Sequence, residues 1–151
     1  MTVKTRFTLD TNILVYAIDT DAGLRHDSAM EIVRRAARAD CVLTLQSLAE
    51  FFHASTRKGK LAAPRAQGIV QTWINVFPVT AAGVEALTTA MQMAGEHRLS
   101  FWDSMLWATA ADAGCAAIFS EDMQDGRTIG GVEIINPFVG DVTVRLSGYL
   151  G

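Results

Sequence analysis

Residues 7–18 read FTLDTNILVYAI, and this stretch decides the fold. Its first three residues, Phe-Thr-Leu, are a short β-prone run that ends at Asp10. Ile13, Leu14 and Ala17 then recur at the spacing of one helix face. The stretch therefore predicts a strand followed directly by a helix, with a carboxylate at the turn between them.

The same alternation of strands and helices continues along the chain. Further strands are predicted at residues 41–44, 116–120 and 132–135, and further helices at residues 26–38, 46–57, 64–77, 80–97 and 101–114. Strands that alternate with helices form a parallel sheet with helices on both faces. We therefore expect an α/β fold, a three-layer sandwich with a central parallel sheet flanked by helices.

Two parts of this assignment rest on the hydrophobic pattern alone. The helix at residues 80–97 is predicted to be capped by Thr80 and to turn four apolar side chains inward, namely Val84, Leu87, Met91 and Ala94. In the tail, apolar residues alternate with polar ones over residues 141–147. That alternation predicts a half-exposed edge strand.

The composition is that of one ordinary globular domain. Of 151 residues, 50% are hydrophobic and 19% are charged, which excludes a disordered chain and a disulfide-stabilised scaffold. Cys41 and Cys115 show no CxxC spacing, and we expect both to be reduced thiols in the core. The sequence contains no signal peptide and no apolar window of about 20 residues, so we expect a cytoplasmic protein with no membrane span.

The net charge of −3 argues against a general affinity for nucleic acid. The chain has 13 Lys and Arg residues against 16 Asp and Glu residues. If four of the acids bind a metal ion, 13 basic residues face 12 acidic ones and the remainder sums to +1. The net charge therefore does not exclude a nucleic acid substrate.

Four acidic residues stand at positions that a parallel sheet brings to one edge. Asp10 follows the first predicted strand, and Asp122 lies two residues beyond the strand at 116–120. Glu50 and Asp103 lie in early turns of helices. Ligands bind open α/β sheets at the edge formed by the carboxyl ends of the strands. We therefore expect the four carboxylates to converge there.

Each of these acids has an ordinary structural explanation when it is taken alone. Asp10 suits a helix N-cap, Asp103 a first helical turn, Asp122 a turn and Glu50 an exposed helix face. Together they conflict, because two carboxylates about 4 Å apart repel by about 4 kcal/mol at an effective dielectric constant of about 20. A divalent cation removes that conflict, and oxygen ligands without Cys or His favour Mg²⁺ or Mn²⁺ over zinc.

Four short motifs carry these acids in a fixed order. They are Asp10-Thr11-Asn12 after a strand, Ala49-Glu50-Phe51 on a helix, Phe101-Trp102-Asp103 opening another helix, and SEDMQDG at residues 120–126 after a strand. With Asn136-Pro137-Phe138 near the end of the last core strand, the chain resembles PIN domains over about residues 6–138. More narrowly, it resembles the VapC-type toxins of bacterial toxin–antitoxin pairs.

This resemblance implies a PIN-like fold and a Mg²⁺- or Mn²⁺-dependent endoribonuclease, a toxin that hydrolyses RNA phosphodiester bonds by metal-activated water. It also implies an RNA substrate, a cognate antitoxin of the VapB type and a homodimer. The family's catalytic, metal-binding acidic quartet falls on Asp10, Glu50, Asp103 and Asp122, and its supporting polar positions fall on Thr11, Asn12 and Ser120. We expect Glu121 to point away from the quartet. The PIN domain then spans residues 1–138, and residues 139–151 form a C-terminal extension.

Three other functions stay open at this stage. The first is a non-catalytic RNA- or protein-binding PIN module, which the quartet argues against because unpaired buried acids lower stability. The second is a DNA-directed or flap nuclease, which usually needs large helical insertions that 151 residues leave no room for. The third is a phosphatase with Asp10 as nucleophile, which would need a second Asp where the chain has Asn12.

One basic cluster surrounds a predicted loop and consists of Arg57, Lys58, Lys60 and Arg65. It is either a solvated helix end or a patch that guides RNA towards the acids. Aromatic residues at helical spacing, Trp102 among them, are more often core residues than surfaces on which bases stack. The 3 histidines are scattered, and we do not expect them to be catalytic.

Overall fold

The structure is a computed structural model that describes residues 5–96, 99–140 and 143–151, without the side chains of Lys58 and Thr143. The strands are β1 (Phe7–Leu9), β2 (Leu43–Thr44), β3 (Val79–Thr80), β4 (Ala117–Phe119), β5 (Thr128–Ile129) and β6 (Val132–Ile135). The helices are α1 (Thr11–Ile18), α2 (Leu24–Ala36), α3 (Leu45–Thr56), α4 (Ala63–Val76), α5 (Val84–Glu96), α6 (Phe101–Asp112) and α7 (Thr143–Leu150). None of these helices combines the length and the apolar character needed to cross a bilayer.

The central sheet is mostly parallel. β4 lies between β1 and β6 and is parallel to both, and β5 pairs with β6 in the antiparallel direction. β2 and β3 form a parallel pair. This pair continues the sheet beyond β1, because the amide of Val42 donates to the carbonyl of Phe7 at 3.1 Å. The α/β architecture predicted from the alternation of strands and helices is confirmed.

Two hydrophobic clusters cover the two faces of the sheet. One contains Phe7 and Phe119 together with residues of α1, α2, α3, α4 and α7. The other contains Ile118 and Ile134 together with residues of α5 and α6. Neighbouring residues of a strand point to opposite faces, which explains why Ile118 and Phe119 belong to different clusters. The result is a three-layer sandwich.

Side-chain caps start three of the helices. Asp10 caps α1, Thr44 caps α3 and Ser100 caps α6, each by accepting a hydrogen bond from a backbone amide of the first turn. Helices α1 and α3 follow β1 and β2 without an intervening loop. Their first turns therefore lie at the carboxyl ends of those strands, which is where acidic residues were expected.

The tail forms a helix, so the predicted edge strand is wrong over residues 143–147. Asp141 and Val142, which were part of that prediction, lie outside the described residues. Leu150 is buried in the core, and the ring of Tyr149 packs edge-on against two core phenylalanines. A short run of alternating apolar and polar residues is compatible with either a strand or a helix. In the tail, burial of apolar side chains against the sheet favours the helix. Division of the chain at residue 138 remains a prediction.

Helix α5 starts later than predicted and turns a different face to the core. It begins at Val84, because Thr80 belongs to β3; His97 lies outside the described residues. Val84, Leu87 and Met91 are exposed, whereas the smaller Ala86 and Ala90 are buried. The buried alanines share a cluster with two alanines of α6, so the two helices pack through small side chains. The prediction relied on hydrophobicity, which favours large side chains over alanine. It therefore assigned the wrong face of α5 to the core.

Candidate active site

Asp10 is the most buried acid of the predicted quartet, with 7% of its surface exposed. Its Oδ1 atom accepts the amide of Thr11 at 2.7 Å, and its Oδ2 atom accepts the hydroxyl of Ser120 at 2.7 Å. Burial raises the pKa of Asp10 to about 6. The two hydrogen bonds oppose this rise, whereas the negative charges of Asp122 and Asp103 add to it.

Asp122 lies beyond the end of β4, next to Asp10 in space. Its amide donates to the hydroxyl of Ser120 at 3.2 Å, and its Oδ2 atom accepts the side-chain amide of Asn12 at 2.8 Å. Partial burial raises the pKa of Asp122, and so do the negative charges of Glu121, Asp103 and Glu50. Burial is the main cause of both raised pKa values, and the charges of neighbouring acids of the quartet add to it.

Glu50 and Asp103 approach from helices. The Oε2 atom of Glu50 accepts the hydroxyl of Thr11 at 3.2 Å, and its Oε1 atom accepts the side-chain amide of Gln46 at 2.8 Å. Asp103 lies in the first turn of α6, and its backbone amide donates to the capping hydroxyl of Ser100 at 3.1 Å. Glu50, in the second turn of α3, and Asp103, in the first turn of α6, therefore both reach the sheet edge.

One cavity of about 450 Å³ brings the quartet together. It is lined by all four acids and by Thr11, Asn12, Gln46, Ala49, His53, Ala54, Trp102 and Leu106. Ser120 is fully buried behind this wall. The cavity is called the acidic cavity below. Four chain segments that are distant in sequence thus present carboxylates to one space.

The acids are spread within the acidic cavity. Among the described residues, no three His, Cys, Asp or Glu side chains are gathered as a ready set of metal ligands. Three of the four carboxylates accept hydrogen bonds from neutral polar side chains. The available donor atoms are all oxygens, which suits a hard divalent cation.

The predicted basic cluster lies beside the acidic cavity, not in it. Lys60 and Arg65 line a neighbouring cavity of about 490 Å³ together with Asp19 and Asp21. The two cavities share Ala54. Arg57 is exposed on a short 3-10 turn, and nothing is described of the Lys58 side chain. The structure therefore brings two of the four predicted basic side chains to the edge of the site.

Glu121 points away from the acidic cavity, as expected. The hydroxyl of Tyr16 donates to one of its oxygens, and Arg25 donates to the other at 3.0 Å. The guanidinium of Arg25 also lies over the rings of Tyr16 and Phe138. Hydrogen bonding to Glu121 raises the pKa of Tyr16 to about 12. This clamp fixes the backbone immediately before Asp122.

Sequence reasoning missed three polar or aromatic residues that line the acidic cavity, namely Gln46, His53 and Trp102. Gln46 and His53 lie four residues before and three residues after Glu50, so helical spacing alone places them on the same face of α3. Trp102 was assigned to the core by its type, but 62% of its surface is exposed. The feature of the sequence that could have placed Trp102 at the site is its position directly before Asp103.

A family model described as PIN domain matches residues 7–125. Among solved structures, the chain is similar to VapC20 of Mycobacterium tuberculosis, a sarcin–ricin-loop-cleaving toxin, with a TM-score of 0.61 and 18% identity over 76% of this chain and 88% of that one. It is similar to a toxin–antitoxin complex from Klebsiella pneumoniae, with a TM-score of 0.63 and 21% identity over 87% and 97%. It is also similar to DNA-bound VapBC from Salmonella typhimurium, with a TM-score of 0.64 and 19% identity over 85% and 96%. No curated protein matches the sequence significantly.

Proposed function

The chain belongs to the PIN domain family, and on that premise we propose that it is a divalent-metal-dependent endoribonuclease and the toxin of a toxin–antitoxin pair. One observation carries the proposal, which is that Asp10, Glu50, Asp103 and Asp122 line a single cavity. Four carboxylates that line one space repel one another, and such an arrangement is expected where a divalent cation binds.

The proposed metal ligands are the four acids of the quartet, with Mg²⁺ as the cofactor and Mn²⁺ as its substitute. A bound ion of this kind supplies a reactive water and stabilises negative charge on a phosphodiester. The neutral side chains of the chain hold the carboxylates in place: Ser120 orients Asp10, Asn12 orients Asp122, and Thr11 orients Glu50. These hydrogen bonds restrict the orientation of three of the four carboxylates.

The substrate and partner in this proposal are RNA and a cognate antitoxin protein. Support for a toxin comes from the family and from structural neighbours that are toxin–antitoxin complexes. RNA is proposed because of the family and the similarity to a sarcin–ricin-loop-cleaving toxin, and Lys60 and Arg65 beside the acidic cavity can contact the phosphates of either nucleic acid. We also propose a cytoplasmic homodimer, with which the exposed apolar residues of α5 are compatible.

A non-catalytic PIN module is the second candidate, and one observation favours it. The described acids do not form a ready set of metal ligands. If no divalent ion binds, the quartet has no catalytic use. Calorimetric titration with Mn²⁺ distinguishes the two candidates, because the nuclease requires a binding signal and the module does not.

The deciding experiment is cleavage of total RNA by the purified protein in Mg²⁺, in Mn²⁺ and in EDTA. We expect metal-dependent cuts that leave 5′-phosphates, and no cuts in an Asp103→Asn variant. Asp112→Asn is the matched control, because Asp112 is an exposed acid at the other end of α6. Single-stranded DNA tests the alternative substrate, and a stable phosphoryl adduct on Asp10 would contradict metal-activated water. Absence of cleavage and of Mn²⁺ binding together would overturn the proposal.

A further inference from the structure

Trp102 is the one tryptophan of this chain whose indole lies on the surface. Its exposed fraction is 62%, against 7% each for Trp73 and Trp107. The ring of Phe101 packs against it at 5.0 Å between centroids, and the Trp102 carbonyl accepts the side-chain amide of Gln46 at 3.1 Å. The indole therefore packs on a ring of its own helix, and the backbone of Trp102 is joined to α3, while most of the residue's surface faces solvent.

A second cavity opens on this indole. It has a volume of about 600 Å³ and is lined by Leu45, Gln46, Ala49, Glu50, Ala81, Ala82, Trp102 and Met105. We call it the apolar groove. Gln46, Ala49, Glu50 and Trp102 also line the acidic cavity, so the two spaces adjoin. Leu45, at the start of α3, adds an apolar side chain that is 52% exposed.

We propose that the apolar groove binds one nucleobase of the RNA strand, stacked on the indole of Trp102, beside the phosphodiester held at the acidic cavity. This inference rests on the proposed nuclease function and adds a base-binding subsite to it. Aromatic side chains bind bases of any sequence by stacking, because every base has a flat π face.

The charge of the apolar groove favours a base as its occupant. Among the described residues that line it, only Glu50 is charged, and its carboxylate faces the acidic cavity as well. The described lining residues include no Lys or Arg to offset that charge, so a phosphate in the groove would be repelled, whereas an uncharged base would not be. In this arrangement the RNA backbone passes the acidic cavity, and one base enters the apolar groove.

The size of the groove points the same way. A volume of about 600 Å³ falls in the range of small-ligand pockets, roughly 300–1,000 Å³. A stable protein partner usually covers roughly 800 Å² on each side, which is more than this groove offers. A protein segment that covers Trp102 is the competing explanation, and the experiment below separates it from a base.

The test measures binding of a short single-stranded oligoadenylate in Ca²⁺, with gel electrophoresis to check that the strand stays intact. A strand of the same length without bases is the second ligand. Parent protein, Trp102→Leu, Trp102→Phe and Phe52→Ala are compared. Leucine keeps an apolar side chain but loses the flat ring, phenylalanine keeps a ring, and Phe52 is an exposed aromatic residue of α3 that lines neither cavity.

We expect Trp102→Leu to bind oligoadenylate about 5- to 100-fold more weakly, with Trp102→Phe between it and the parent and Phe52→Ala unchanged. The baseless strand should bind the parent and Trp102→Leu equally, since stacking is absent in both. Oligoadenylate should also reduce the quenching of the parent's tryptophan fluorescence by acrylamide, because Trp102 is the accessible indole. Mn²⁺ affinity measured by calorimetry should be the same in all four proteins.

Equal binding of oligoadenylate by the parent and Trp102→Leu would overturn the inference and leave the nuclease untouched. The inference would also be overturned if Trp102→Leu bound oligoadenylate as tightly as the parent but no longer bound a purified antitoxin. That result would assign the groove to a protein partner. If the parent cleaves RNA but binds neither strand, the subsite is wrong as stated. If the parent neither binds Mn²⁺ nor cleaves RNA, the proposed nuclease function is wrong. This outcome differs from failure of the base-binding subsite alone, in which Mn²⁺ binding and RNA cleavage persist.

Discussion

The hydroxyl of Ser120 donates to the Oδ2 atom of Asp10 at 2.7 Å across two adjacent parallel strands. The same hydroxyl accepts the backbone amide of Asp122 at 3.2 Å. One fully buried serine therefore joins two acids of the quartet that are far apart in sequence. Their shared partner sets the position of the Asp10 carboxylate relative to the backbone of Asp122.

Replacing Ser120 by alanine should weaken both stability and metal binding. The buried Asp10 carboxylate would lose a hydrogen bond, at a cost of about 1–3 kcal/mol in the free energy of unfolding at neutral pH. Mn²⁺ affinity should fall about 10-fold or more, because the carboxylate is no longer held in one orientation. Urea unfolding and calorimetric titration measure the two effects.

Ser104→Ala provides the matched control for that variant. Ser104 is also fully buried, but its hydroxyl has no hydrogen-bond partner among the described residues. Its removal should leave stability unchanged or slightly increased, and Mn²⁺ affinity unchanged. Equal losses in the two variants would mean that Ser120 acts only by filling space.

The pH dependence of stability should report the buried Asp10 directly. Its pKa is about 6 in the folded protein and 3.8 in the unfolded chain, so the folded state holds the proton more tightly. The metal-free protein therefore loses stability as pH rises from about 4 to above 6, by up to about 3 kcal/mol from this group. The raised pKa of Asp122 acts in the same direction.

The check is urea unfolding in EDTA across this pH range, with Asp10→Asn as reference. Asparagine still caps α1 but carries no charge. Asp125 has a lowered pKa and changes stability in the opposite sense, so only the difference between the two proteins isolates Asp10. A difference that does not vary with pH would refute the assignment. Divalent ions compete with the same proton, so Mn²⁺ affinity of the parent should rise through pH 6.

The site was more predictable from sequence than parts of the fold were. Asp10, Ser100 and Asp122 are tied to strand ends and helix starts, and those local signals depend on a few adjacent residues. Parallel strands then impose one shared edge, so the convergence of the acids follows from topology. Their metal-binding and catalytic roles remain predictions.

The errors have a common cause, which is that burial depends on partners distant in sequence. The inward face of α5 is selected by the alanines of α6, and the helical tail is selected by contact with Phe7 and Phe119. The exposure of Trp102 likewise depends on what the fold leaves uncovered. None of these contacts is encoded in the local periodicity of the segment concerned.

Tyr16→Phe should lower stability, because it removes the hydroxyl that donates to Glu121. A hydrogen bond to a charged group contributes about 1.5–3 kcal/mol, and Glu121 would keep only Arg25. Tyr149→Phe is the control, since the ring of Tyr149 packs on core phenylalanines and stays in place. Thermal unfolding compares the two variants. A loss in Tyr149→Phe as large as that in Tyr16→Phe would show that the clamp has no special role.

Arg65→Ala should weaken binding of single-stranded RNA and reduce its dependence on salt. Arg65 lines the cavity that adjoins the acidic cavity, and each phosphate contact contributes about 0.7 to the slope of log affinity against log salt for a single strand. Arg34→Ala removes the same charge from α2, where Arg34 is paired with Glu31. Binding isotherms at several salt concentrations should give a slope lower by about 0.7 in Arg65→Ala alone. Identical slopes in the two variants would show that RNA responds only to net charge, and the basic residues beside the site would then be an ordinary solvated helix end.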